Sequence, residues 1–435
     1  MEKWSTKIDR LYDLIANDDD ARTFSEMPES ACHAVPRNFF LILVSLVLTK
    51  LGDLLTNPKT VLAWLMSALG APPVLTAWLV PIRESGSLIP QLAIGAWVRS
   101  YALRKRFWVA GSLVQGACVF GMAAAAIYLR GLSAGLALLG LLALFSLGRS
   151  FCSVAAKDIQ GKCVPKQRRG RLSGLATSLS GGAAVAVTLL LFAGNRHPSI
   201  AYDTQLLLIA GCLWWLAALI FARVDECAGE TSGGNNALRS AWHSLRLLKD
   251  DANFRQFVIT RALLLCSALA SPFLVTLAHS QSTSSWLLGG FLLASAVASA
   301  ISAAIWGWMA DHSSRRVMIR GAMLASATCL LVVAFHLLVP ALTRVPGFYP
   351  IAFLVLAIAH AGVRIGRKTY LVDMAGGTKR TDYVSVSSSV IGILLLLTGG
   401  ISALAALVSP VAVILLLGLM GLAGVISALR LPEVE

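Results

Sequence analysis

The sequence predicts an all-α integral membrane protein with twelve transmembrane helices, arranged as two six-helix bundles that repeat one another. Three observations carry this expectation. Of 435 residues, 57% are hydrophobic and 14% charged, with a mean hydropathy of +0.73, whereas a soluble fold carries about a quarter charged residues. Apolar runs of about twenty residues, the length that crosses a hydrocarbon core of about 30 Å, fill the chain from Phe39 to Leu429. A pattern of basic loops also occurs twice at nearly the same offset.

The elements follow in order. Residues 1–37 form a polar tail with eight acids against five Lys or Arg, and no apolar stretch follows the first basic residues, so a cleaved signal peptide is not expected. Trp4, Ile8, Leu11, Leu14 and Ile15 recur at helical spacing, which predicts a short amphipathic helix on the membrane surface or against the cytoplasmic loops. The first bundle, 38–222, holds segments near 39–57, 72–98, 107–129, 132–155, 172–194 and 203–222. A polar stretch at 223–253, containing Glu230-Thr-Ser-Gly-Gly-Asn-Asn236, reads as a cytoplasmic linker. The second bundle, 254–430, holds segments near 254–279, 286–310, 317–339, 349–372, 384–407 and 409–429, and 431–435 is a short cytoplasmic tail.

Lys and Arg set the orientation, because cytoplasmic loops retain positive charge during insertion. With the N-terminus inside, 29 of the 37 fall on the cytoplasmic side and only Lys59, Arg130, Arg196 and Arg344 on the other. Both termini are therefore expected in the cytoplasm. The asymmetry also accounts for the net charge of +15 without a nucleic-acid partner. The eight cysteines show no CxxC and no His-rich spacing, so neither a disulfide framework nor a metal site is indicated, and no cofactor is expected.

The halves repeat. Gly95, Arg99 and Arg104 match Gly307, Asp311 and Arg316 at an offset of 212, and Lys157, Arg168 and Arg169 match Lys368, Lys379 and Arg380 at 211. Two loops at nearly one offset, each between equivalent helices, indicate duplication with the same orientation.

At Gly307-Trp-Met-Ala-Asp311-His-Ser-Ser-Arg315-Arg316 the chain resembles the cytoplasmic loop signature of the major facilitator superfamily, Gly-x-x-x-Asp-x-x-x-Arg-Arg/Lys. The resemblance implies a cytoplasmic gate formed by Gly307, Asp311, Arg315 and Arg316. In it the Gly permits close helix approach and the Asp meets a helix terminus or an Arg. The first copy departs from the pattern: Arg99 stands where the acid belongs, so the latch of that half must be rebuilt or absent. The fifth segment has Gly181-Gly182 but lacks the Gly-Pro element of the drug antiporters.

Ionisable groups inside the membrane cost about 2.5–3.5 kcal/mol each on insertion scales, so each needs an account. Lys50 and Asp53 are three apart on the first segment and are placed to pair, either as a staple or as a proton or substrate site. The second segment carries Arg83 and Glu84 between Pro81 and Pro90, a bent or broken helix that aims polar groups into a cavity. Lys50 and Arg149 are the candidate partners of Glu84. Arg149 lies about two turns into the bilayer from the charged Lys157-Asp158 end of its helix, and its repeat partner 211 residues on is His360. Arg364 and Arg367 read as groups approaching the cytoplasm, placed there by topology.

No Walker loop, HExxH or GxSxG appears, so neither ATP drive nor enzymatic catalysis is supported. The expectation is a secondary-active transporter of the bacterial inner membrane that moves a small anionic or zwitterionic organic solute by alternating access. Glu84 and then Asp53 are the proton-coupling candidates, and Lys50, Arg83, Arg149 and His360 the substrate-site candidates. The expected partners are the solute, protons and the lipid bilayer. A drug or metabolite efflux antiporter, and a transport-inactive scaffold or sensor, stay open as alternatives.

Overall fold

The computed structural model describes residues 35–194, 200–229, 231, 247–282, 285–310, 312–374 and 380–434. The amphipathic helix expected near Trp4, most of the Gly/Ser/Asn linker, and Asp311 lie outside the described residues. The first span is α1 (Val35–Leu55) with α2 (Val61–Ala68), and the second is α3 (Pro73–Thr76), α4 (Leu79–Leu88) and α5 (Gln91–Arg99). Four long helices complete the half: α6 (Lys105–Tyr128), α7 (Gly131–Cys163), α8 (Lys166–Gly194) and α9 (Ile200–Phe221). After a short α10 (Leu247–Asp250), the seventh span is α11 (Ala252–Leu263), α12 (Cys266–Leu269) and α13 (Ser271–Gln281). Then come α14 (Ser285–Ala310), α15 (Ser314–Leu338), the single turn α16 (Pro340–Thr343), α17 (Phe348–Met374), α18 (Arg380–Val408) and α19 (Pro410–Leu429).

Among the described residues these make twelve spans. Ten of the stretches are each long and apolar enough to cross a membrane. The other two are the broken second span and α14, whose continuous apolar part is Trp286–Ser302. The chain is a multi-pass membrane protein.

The repeat is visible in the packing. In the first half α6 lies along α7 and α9, and α4 and α5 lie along α7; in the second half α15 lies along α17 and α19, and α14 along α17. The closest helix approaches also recur. A Cβ at Gly111 would sit 2.6 Å from the carbonyl oxygen of Gly148, and one at Gly321 would sit 2.9 Å from the Val363 nitrogen and 3.0 Å from the Ala359 oxygen. Gly321 follows Gly111 by 210 residues and Ala359 follows Gly148 by 211. Small residues at both crossings let the backbones touch.

Three spans are interrupted, and each interruption has a local cause. Pro58 has no N–H to donate and pushes Asn57 out of the helical region, so α1 ends at Leu55 and the Asn57 Oδ1 accepts from the Lys59 backbone N–H at 2.8 Å. The stretch around Lys59 is therefore a break within the first span, continued by α2, and not the outer loop that its polar sequence suggested. Pro73 opens α3 and Pro90 separates α4 from α5, while the seventh span breaks at Leu264–Leu265 and restarts at Ser271-Pro272. The first and seventh spans are repeat partners, so the breaks fall at matching places in the two halves.

The halves meet where α18 lies along α3 and α4, α14 along α8, and α13 along α2. There Trp64 of α2 stacks edge-on against His279 of α13 with ring centroids 4.6 Å apart, and the Ser85 hydroxyl of α4 donates to the Gly392 carbonyl of α18 at 2.7 Å. A Cβ at Gly399 would lie 2.5 Å from Pro81.

Candidate functional site

Among the described residues, two groups of charges bear on the space between the helices. The first belongs wholly to the N-terminal half. Asp53 on α1 accepts from Arg83 Nη2 at 2.6 Å, and both its oxygens accept from Arg149 Nη1 at 2.6 Å. The Arg83 guanidinium also lies 4.6 Å above the centre of the Phe145 ring, a cation–π contact. Lys50 does not take the carboxylate three residues on; its Nζ donates to the Thr177 hydroxyl of α8 at 2.5 Å. A repeat explains this choice. Arg261, 211 residues after Lys50, donates through Nη1 to the Ser387 hydroxyl of α18, also at 2.5 Å, so each half uses the same cation-to-hydroxyl tie at one position.

The second group faces a cavity of about 290 Å³ between the halves. The first half contributes Asn57 and Lys59 from the break in the first span and Glu84 and Leu88 from α4; the second contributes Arg261, Ser271, Ser295, His360, Arg364 and Arg367 among others. Positions 360, 364 and 367 fall at i, i+4 and i+7, one stripe of α17. On α11, α12 and α13, Arg261, Leu264, Leu265, Ala268 and Ser271 follow the same rule and face the same space. His360 Nδ1 lies 3.0 Å from the Ser267 hydroxyl, fixing its ring beside the cavity. Lys59 lies within electrostatic reach of Glu84, Arg364 and Arg367, and Arg367 within reach of Glu84 and Arg364.

Of the expected site residues, the structure brings Glu84 and His360 to the cavity and keeps Lys50, Arg83 and Arg149 out of its lining. Glu84 shares the cavity with Lys59, Arg364 and Arg367 and stays within electrostatic reach of Arg149, one of its two expected partners. Arg364 and Arg367, read from sequence as topology charges, face the cavity instead. Taking these two from the 29 cytoplasmic cations and Lys59 from the four opposite leaves 27 against 3, so the charge asymmetry persists. The i, i+4, i+7 spacing on the tenth segment and the Asn-Pro dipeptide were the sequence signals that could have located the cavity cations.

No family model and no curated protein matches the chain. Solved structures do. The nucleoside transporter NupG superposes with a TM-score of 0.69 at 12% identity, over 90% of this chain and 99% of that one. The inward-open xylose transporter XylE from E. coli gives 0.65 at 11%, over 91% and 97%, and the peptide transporter POT gives 0.64 at 13%, over 91% and 93%. The chain has the major facilitator superfamily fold.

The loop between α14 and α15 holds the residues expected to form a gate, and among the described ones the contacts of Arg315 and Arg316 lie inside the second half. Arg315 donates to the Leu429 carbonyl at 2.8 Å, and Arg315 and Arg316 lie 3.7 and 3.6 Å from Glu433. Ser313 caps α15, its hydroxyl accepting from the Arg316 N–H at 3.3 Å. Gly307 does not mediate close helix approach, since a Cβ there would meet nothing within 4 Å; Gly366, against Ser314 and Met318, does that at this end.

At the corresponding end of the first half, a cap and an ion-pair network surround Arg104. Glu226, just after α9 and with a fully buried side chain, accepts from the backbone N–H groups of Arg104 and Lys105 at 2.9 and 2.7 Å, and so caps α6. Lys162 ties it to α7 at 3.1 Å and pairs with Asp158 at 2.8 Å, and Asp158 also pairs with Arg104. Arg99 stands where the acid belongs in the second loop, and the acid of this cap comes from beyond the sixth span.

Proposed function

We propose that the protein is a proton-coupled secondary-active transporter that carries a small anionic or zwitterionic organic solute by alternating access. The observation that carries this reading is the polar cavity between the halves, placed where the first and seventh spans are broken at matching positions. Interrupted spans in equivalent places free backbone groups for a ligand and let one half rock against the other. The contacts at Trp64–His279 and Ser85–Gly392 close the far side, which supports an inward-facing state of that cycle.

Residues 38–222 and 254–430 are the two rocking units, joined by the 223–253 linker. Both termini face the cytoplasm of a bacterial inner membrane, and the distribution of Lys and Arg supports that orientation. The protein is a carrier and not an enzyme.

Glu84 is the leading proton carrier. It is exposed to the cavity and faces Lys59, Arg261, His360, Arg364 and Arg367, so a proton on it and an anion among those cations change the same local charge. Asp53 is second, because both its oxygens are already engaged by Arg83 and Arg149. The test compares Glu84→Gln with wild type in sealed vesicles at equal protein. Lost gradient-driven accumulation with preserved solute exchange is expected. Full accumulation at normal abundance contradicts the assignment to Glu84.

A further inference from the structure

We infer that the cavity is built for an organic solute carrying two or more negative charges, a phosphate monoester or a di- or tricarboxylate. The inference rests on the reading of this cavity as the solute site and narrows it, setting zwitterions and single carboxylates aside. Lys59, Arg261, Arg364 and Arg367 face the space, against one carboxylate, Glu84. Among the described residues none of the four makes an ion pair within 4.0 Å. Arg261 has only the neutral Ser387 hydroxyl as partner, and its Nε is buried with no hydrogen bond.

Several other cations of the molecule are matched by acids. Arg104 and Lys162 are matched by Asp158 and Glu226, Arg315 and Arg316 share Glu433, and Arg83 and Arg149 share Asp53. Cations gathered around one cavity repel one another, and negative charge on a solute relieves that repulsion. With Glu84 ionised, four cations exceed the anions by three: one carboxylate on the solute leaves two, a dianion leaves one and a trianion leaves none. A zwitterion leaves all three, since it brings its own cation.

Geometry agrees with the charge count. Guanidinium groups offer planar forks that match two oxygens of a carboxylate or phosphate at once, while an ammonium acts as a point charge. Three forks come from the second half, with His360 on the same stripe of α17, and the ammonium comes from the break in the first half. A solute with two separated anionic groups therefore contacts both halves.

The test uses the purified full-length protein and measures binding of sn-glycerol 3-phosphate, glucose 6-phosphate, succinate and citrate by thermal shift and calorimetry. Glycerol, glucose and lactate are the uncharged and singly charged controls. At least one multiply charged probe is expected to bind tenfold or more tightly than the controls, and the phosphate and carboxylate arms say which chemistry is taken. Arg364→Gln and Arg367→Gln should each weaken that probe at least tenfold, Arg364→Lys and Arg367→Lys less, and Arg130→Gln, outside the cavity and tied only to backbone carbonyls, not at all. Should a Gln variant fail to elute as a single species, the Lys variant at that position and Lys59→Gln carry the comparison. Equal binding of charged and control probes, or an affinity that the cavity variants leave unchanged, overturns the inference. Counterflow in proteoliposomes separates the two readings: charge-selective binding without counterflow contradicts transport and leaves the inference standing. Counterflow of glucose or lactate with no preference for the charged probes does the reverse.

Discussion

Asp53 stands between two guanidinium groups, and removing its charge leaves Arg83, almost fully buried, beside Arg149 with no anion between them. Stripping one partner from a buried ion pair costs about 3–5 kcal/mol, so Asp53→Asn should lower the unfolding free energy of the purified protein by about 3 kcal/mol, visible as a reduced melting temperature and membrane yield. Lys50→Met removes only a tie to a hydroxyl and should cost less than about 1 kcal/mol. Equal losses in the two variants would contradict the pairing. Sequence spacing put Lys50 beside Asp53 because both sit on one helix face. It could not show that Arg83 and Arg149, 30 and 96 residues away, converge on the same carboxylate. Glu84 was legible because an acid between two prolines in an apolar segment has no reason in topology. Arg364 and Arg367 were not, because basic residues close to the inner end of a segment satisfy the insertion rule whatever they face.

At the scale of helices, the pairs of glycines divide cleanly. Gly111→Ala places a Cβ 2.6 Å from a backbone oxygen that cannot move without shifting α7, whereas Gly307→Ala meets open space. The first should lower stability by about 1–3 kcal/mol, the cost of overpacking, and the second should leave the melting temperature unchanged. A neutral Gly111→Ala would contradict the close crossing of α6 and α7. Glu226→Ala should cost about 2 kcal/mol or more, since two helix-end N–H groups and Lys162 lose a buried acceptor together; a neutral result would contradict the cap. The twelve segments were readable from hydropathy alone, and their ends fell within a few residues of the helices except where the chain breaks and at the polar inner ends of α7 and α8, which run eight and six residues past the apolar segments to Cys163 and Lys166. Hydropathy sees Thr56-Asn-Pro-Lys-Thr60 as a loop, because polarity and a proline mark loops and interrupted spans alike. The Glu226 cap was unreadable for another reason: its partners, Arg104 and Lys105, lie more than 120 residues upstream.

For the whole molecule, the duplication joins sequence to mechanism, since loops, glycine crossings and cation-to-hydroxyl ties all recur at offsets of 210 to 212 residues. Duplicated halves with broken spans facing one cavity are the arrangement expected of a rocking carrier. Topology is open to direct test: in intact cells, a cysteine introduced by Asn235→Cys should react only with membrane-permeant maleimide, and reaction with an impermeant reagent would invert the orientation. What sequence alone left undetermined at this scale is the sharing of charge between halves, because it depends on which cations the fold turns inward. The central claim is transport driven by a proton gradient, and its most direct measurement is solute accumulation in proteoliposomes holding the purified wild-type protein, with the proton gradient as the imposed driving force. Accumulation above the equilibrium distribution that collapses on addition of a protonophore is the predicted result; accumulation that survives the protonophore, or no protein-dependent flux of any anionic or zwitterionic solute tested, would contradict the account.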